Sequence, residues 1–161
     1  MIAAFVLVSV SMQAQKFGYL NSALLLSELP EIKAADAELE TYQKQLITSG
    51  ESMVKNFETK YQQYAKEANE GLLSQVQMQQ KEGELATEQQ KIQQYELEVQ
   101  NKILKKRETL YQPILDKVKV ALEAIGKENG YSMIFDASNG TILHANDSDD
   151  VMALVKTKLG M

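Results

Sequence analysis

The 161-residue chain contains no cysteine and no tryptophan, a single histidine (His144) and only two prolines (Pro30 and Pro113). Without cysteine there is no disulfide framework, no thiol nucleophile and no Cys/His zinc site. A lone histidine with no second histidine near it makes neither a metal-binding nor a triad pattern, so His144 is expected at the surface or in a capping role rather than in catalysis. The G-x-x-x-x-G-K-[ST] and G-x-G-x-x-G spacings are also missing, so no loop is laid out to cradle a nucleotide phosphate. Work driven directly by ATP is therefore not expected.

Positive charge is scarce as well: 17 Lys and Arg face 22 Asp and Glu, a net charge of −5. A nucleic-acid partner calls for a basic stripe, and none runs along this chain. The basic cluster Lys102, Lys105, Lys106 and Arg107 reads as a solvated helix face, with a phosphate or lipid-headgroup site as the alternative. The oxygen-rich group Asp136, Asn139, Asp147, Asp149 and Asp150 lacks the EF-hand spacing, because Thr141 stands at the sixth position where that loop needs glycine. Turn and capping duties account for these residues. The sequence thus predicts no enzyme, no cofactor and no metal.

Long hydrophobic runs are limited to the beginning, I-A-A-F-V-L-V-S-V after Met1, which is too short to span a bilayer. With S-M-Q-A-Q after it, the run fits the core of a secretory signal over residues 1–15, cleaved after Ala14. No basic residue precedes Ile2, so the expectation is that Met1 is internal and translation starts upstream; a buried first strand is the alternative.

What the chain does have is a very long helical pattern broken once, at N-E-G-L-L-S-Q-V-Q-M from Asn69 to Met78. Gly71 suits the left-handed position past a helix end. Ser74 and Gln77 have capping-box spacing, and Leu73 and Met78 are placed for a hydrophobic staple. Pro30 suits the opening of the outgoing helix, and Pro113 is expected to kink the returning one or end its regular bonding. The arms between them, 31–69 and 75–112, hold 39 and 38 residues, each about 58 Å of helix. Residues 30–113 therefore form a hairpin with its tip near 70–74.

Along the outgoing arm Ile32, Ala35, Leu39, Tyr42 and Leu46 alternate three and four apart, a coiled-coil seam. Beyond Met53 the spacing lengthens: Leu46, Phe57 and Ala68 fall eleven residues apart, which relaxes the left-handed supercoil. On the return Met78, Leu85, Ile92 and Val99 recur every seven, with Tyr95 between them, followed by Ile103, Leu110, Ile114 and Val118. Levelling the two prolines sets Leu46 opposite Leu97 and Phe57 opposite Ala86. Gly50 and Gly83 are expected to weaken the helices by about 1 kcal/mol each. Near the tip Phe57, Tyr61, Tyr64, Leu72, Leu73, Val76 and Met78 occupy more than one stripe, so some must face outward. These seven are candidates for transient contact with other apolar chains, for which methionine and tyrosine are suited.

The ends of the chain build a body from 16–29 and 114–161. K-F-G-Y-L-N at Lys16 reads as a strand leading through Asn21 into a short helix, Ser22–Leu29. After Pro113 the helix is apolar on a broader face and ends at Asn129-Gly130. Y-S-M-I-F-D and T-I-L-H-A flank Asn139-Gly140, a β-hairpin signal. The last helix is expected to start at a Ser148 cap, with Asp149 and Asp150 at its positive end and Lys156 and Lys158 at its negative end. The fold class is α+β: a small strand-containing body with a long antiparallel helical hairpin. So small a body, without disulfides or metal, calls for partner subunits.

K-F-G-Y-L-N, P-I-L-D-K-V at Pro113, K-E-N-G-Y-S-M-I-F-D at Lys127 and D-D-V-M-A-L-V at Asp149, set around a glutamine- and charge-rich hairpin, resemble the OmpH-like (Skp-like) periplasmic chaperones. The resemblance implies a homotrimer whose strands close a barrel-like body, with Phe17, Tyr19, Ile134, Phe135 and Ile142 as trimer-body candidates. It further implies three hairpins around a cavity that holds unfolded outer-membrane proteins in the periplasm without ATP, and contact with membrane lipid surfaces. Members of that family are strongly basic, whereas this chain is acidic. The alternative is a structural coiled-coil spacer or adaptor of the cell envelope, which should keep strict heptads and polar outer faces.

Overall fold

A computed structural model of the chain describes residues 15–161. The secretory signal expected over 1–15 lies outside the described residues except for Gln15. Strand β1 (Lys16–Leu20) leads into α1 (Ser22–Glu28), then α2 (Pro30–Asn69), α3 (Gln75–Asn129), β2 (Tyr131–Asp136), a single 3₁₀ turn at Asp147–Asp149 and α4 (Met152–Leu159). The chain divides into two units, one taking in the residues up to Leu29 together with Leu115–Met161, the other Pro30–Ile114.

In the first unit β1 and β2 pair in parallel, Phe17 beside Met133 through to Leu20 beside Asp136, with an irregularity between Lys16 and Phe17. Alternation sends Gly18 and Leu20 to the buried side and leaves Phe17 exposed on the other. Beneath the sheet Leu25, Leu29, Ile125, Val151 and Val155 are fully buried, joined by Ala121 and Val118 one and two turns back along α3. Farther round that helix Leu115 and Val120 are exposed and Leu122 is half-buried.

Two expectations for this unit are corrected. T-I-L-H-A forms no strand; β2 instead pairs with β1, more than a hundred residues earlier in the chain. Asn139 closes a local turn by accepting from the Thr141 backbone N–H at 3.2 Å, and Gly140 takes a positive φ of 72°. The last helix starts at Met152, not after Ser148, which lies in the 3₁₀ turn. The reason is β1: the Val151 N–H donates to the Tyr19 carbonyl at 2.9 Å, and Tyr19 bridges to Asp150 in parallel. That pairing holds the chain extended past Asp149. The Asp150 carboxylate accepts from the Met152 N–H at 2.7 Å. The other end of α4 is as expected, with Gly160 left-handed at φ 83°.

In the second unit the turn forms as its residues predict. Gly71 has φ +70°, its N–H donates to Ala68 at 3.1 Å and that of Leu72 to Glu67 at 3.0 Å, the paired bonds of a Schellman ending. Ser74 and Gln77 exchange capping bonds of 2.9 and 3.4 Å. The α2 residues Ile32, Ala35, Leu39 and Leu46 are buried. Helix α3 runs through Pro113 without a break.

Candidate functional site

The candidate residues of the hairpin separate by exposure. Tyr61, Leu72 and Val76 are 54%, 64% and 73% exposed, whereas Phe57, Tyr64, Leu73 and Met78 are half-buried in the seam. Phe57 and Tyr61, one helical turn apart, stack with ring centres 6.3 Å apart. The Tyr64 hydroxyl donates across the hairpin to Glu82 at 2.5 Å, and that bond raises the tyrosine's pKa. So the outward surface near the tip consists of one aromatic and two aliphatic side chains, backed by a seam that uses the other four.

Ion pairs cross between the arms beside these residues. Glu67 meets Lys81 at 2.8 Å and Lys60 meets Glu88. The Lys81 ammonium and then the Gln63 amide hold the Glu67 carboxyl below its usual range. Of the basic cluster, Lys106 reaches Glu38 at 2.6 Å and Lys102 reaches Glu98 at 3.1 Å, while Lys102 and Lys106 also lie over the rings of Tyr95 and Tyr42. Half of the cluster is thus engaged within the hairpin.

The levelled pairing of the arms needs correction. Leu46 is met by Tyr95, whose hydroxyl donates to the Leu46 carbonyl at 2.9 Å, and Leu97 is 75% exposed. Two residues apart on a helix is about 200° of rotation, so only one of the pair can face the partner arm. Gly50 lies beside the ring, where a Cβ would stand 3.4 Å from Tyr95 Cε1, an ordinary contact.

In the body, Phe17, Tyr19, Phe135 and Ile142 line one groove of about 580 Å³, together with Thr141 and His144. Phe17 and Phe135 meet there at 6.1 Å between ring centres, tilted by 54°. Ile134 is the exception. It lines a different cleft, with Leu20, Leu25 and Val118, because adjacent strand residues point to opposite faces, while Phe135 borders both. Leu143 and Met133, not singled out from the sequence, are exposed beside the candidates, Leu143 at 95%. The outer edge of β2 carries no partner strand among the described residues.

Two further residues support this body: Gly18, which the sequence does not advertise, and Asp136, which takes up the turn and capping duties expected of it. A Cβ on Gly18 would stand 2.9 Å from Val151 Cγ1 and 3.1 Å from the Tyr131 ring. The Asp136 carboxylate, at the end of β2, accepts from the Ser22 hydroxyl at 2.6 Å and the Ser22 N–H at 3.1 Å, tying the sheet to the start of α1. It also accepts from the Ser138 N–H at 2.9 Å. The Ser22 hydroxyl and the Ser138 N–H bring its pKa down to about 2. No cluster among the described residues is arranged to hold a metal ion.

A small α+β unit built on a two-stranded parallel sheet, in one chain with a two-helix hairpin, defines a narrow class of proteins. The chain belongs to the OmpH family: the family model described as outer membrane protein (OmpH-like) matches residues 16–159. Among solved structures it is similar to an OmpH-like protein of Caulobacter crescentus CB15, described as a candidate outer membrane chaperone, with 14% identity and a TM-score of 0.76 over 91% of this chain and 85% of that one. At that identity the likeness is one of fold. No curated protein matches the chain.

Proposed function

We propose that the chain is a periplasmic chaperone of outer-membrane proteins, acting as a homotrimer that holds unfolded clients between its hairpins without ATP. Membership of the OmpH family supports a chaperone-type role in outer-membrane protein handling. The observation that carries the holding step is the exposure of Leu72 and Val76 at the hairpin tip, with Tyr61 near them. Burial of apolar surface is non-directional, so exposed side chains of this kind can take up a client without fixed shape. Trimerisation is supported by the exposed aromatic face of a body with a two-stranded sheet, since such a sheet is marginal alone and gains partners by closure.

The test is light scattering from an unfolded outer-membrane β-barrel diluted out of urea, with and without the purified chain, alongside its mass by sedimentation. A trimer that suppresses aggregation at equimolar amounts without ATP is expected. A chain that leaves aggregation unchanged is a spacer rather than a holdase.

A further inference from the structure

The two halves of the hairpin are closed by different forces. Nearer Pro30, all four buried residues of the arms, Ile32, Ala35, Leu39 and Leu46, lie on α2, and Tyr95 reaches across to the Leu46 carbonyl at 2.9 Å. Polar contacts add to this apolar packing, Glu38 with Lys106 at 2.6 Å and Asp36 with Tyr111. Between Met53 and Ile92, by contrast, no residue of either arm is buried. Over a seam that is only half-buried, three polar contacts cross there: Lys60 with Glu88, Tyr64 with Glu82 at 2.5 Å, and Glu67 with Lys81 at 2.8 Å. Every one includes a carboxylate, and two are full ion pairs. Clefts of roughly 360 and 210 Å³ open between the arms, and Lys60 and Glu88 line both. The ion pair therefore bridges a gap that side chains do not fill.

We propose that the distal half of the hairpin is a salt-sensitive latch: screening the Lys60–Glu88 and Glu67–Lys81 pairs lets the arms part beyond Leu46 while the proximal half stays closed. Exposed pairs contribute little singly and are screened within a Debye length of about 10 Å at 0.1 M salt and about 3 Å at 1 M. Where no buried apolar residue backs them, that small contribution is a large share of what holds the arms. Parting uncovers the inner faces of Met53, Phe57, Leu85 and Ile92, all half-buried when closed. On the holdase reading, on which this regulation rests, ionic strength sets how much apolar surface the hairpin offers.

The chain has no cysteine, so paired spin labels can be introduced cleanly, at Gln62 and Ala86 for the distal half and at Ala37 and Lys105 for the proximal half. Labelled chains diluted with excess unlabelled protein isolate the distance within one hairpin, read by pulsed electron resonance without client. Raising sodium chloride from about 0.05 to 1 M is expected to increase the separated distal population severalfold and to leave the proximal distances unchanged. Glu88→Lys is expected to open the distal half at low salt, and adding Lys60→Glu to close it again. Circular dichroism confirms that each variant remains helical. Distal distances indifferent to both salt and Glu88→Lys overturn the latch, as does equal broadening of both halves. Because no client is present, such a failure leaves the holdase reading intact, whereas a latch that opens in a chain unable to suppress aggregation refutes only the latter.

Discussion

The body and the hairpin carry apolar surface to the outside in different ways. In the body five side chains are fully buried beneath a sheet whose outer face shows Phe17, Met133 and Phe135 side by side. In the hairpin burial stops at Leu46, and the exposed Tyr61, Leu72 and Val76 are spread along the arms. A continuous apolar face beside an unpaired strand edge suits one fixed partner, such as a neighbouring copy of the same chain. Scattered aliphatics on a loosely closed pair of helices suit many changing ones. If that contrast is right, substitutions in the body should change stability and assembly, and substitutions in the hairpin should change client binding with little effect on stability.

The largest effect is expected from Leu25→Ala, which empties the middle of the body core. Truncating a fully buried leucine costs about 2–5 kcal/mol, and urea denaturation at fixed protein concentration should show a loss in that range. Gly18→Ala comes next. Its methyl group would press on Val151 and the Tyr131 ring, and overpacking of this kind costs about 1–3 kcal/mol. Wild-type stability in this variant would mean that the Asp150–Val151 segment does not lie against β1 as described.

A smaller effect separates the units by pH. Asp136 has its carboxyl lowered from 3.8 to about 2 by Ser22 and Ser138. A depressed folded-state value means its contribution is complete above the unfolded value of 3.8 and is lost as pH falls through 2. Asp136→Asn should lower stability at neutral pH by less than about 1 kcal/mol, the group being solvent-exposed. It should also remove part of the acid-induced loss between pH 4 and 2 followed by near-ultraviolet signals of the body tyrosines. An acid profile unchanged by the substitution would show that the tie between β2 and α1 contributes nothing.

The same contrast governs what could be read from residues alone. The hairpin tip was legible because its signals are local: Gly71, Ser74 and Gln77 act on backbone groups within five residues of themselves. The arms were legible from the period of their apolar residues, except that Leu46 meets Tyr95 rather than Leu97, because register across a hairpin has no local marker. The body was harder. Asn139-Gly140 is a sound turn signal, but β1 takes β2 as its partner and also captures Val151, moving the start of α4 from Ser148 to Met152. Competition from a strand at the other end of the chain overrides both local preferences. Of the candidate site, exposure was legible in kind and not in detail, since periodicity says that some tip residues must face outward but leaves Tyr61, Leu72 and Val76 to be distinguished from Phe57 and Met78 by the register of the arms.

A small change in stability, and the sharpest test of the comparison, is expected from Tyr61→Ser, Leu72→Ser and Val76→Ser made together. Leu72 and Val76 stand in solvent and Tyr61 stacks on Phe57 of its own helix, so each aliphatic should shift stability by no more than about 0.5 kcal/mol and Tyr61 by about 0.5–1.5 kcal/mol. Tyr64 is left in place because its hydroxyl binds Glu82, and removing it would loosen the hairpin itself. Sedimentation should show assembly unchanged, since the body face is untouched, while light scattering should show client aggregation suppressed markedly less well than by the unaltered chain. Full suppression by a correctly assembled triple variant would move client binding away from the tip, to the half-buried seam of the arms or to the body. A loss of assembly would instead mean that the hairpin contributes to the fixed interface, and the division between a body that associates with itself and arms that hold others would fail.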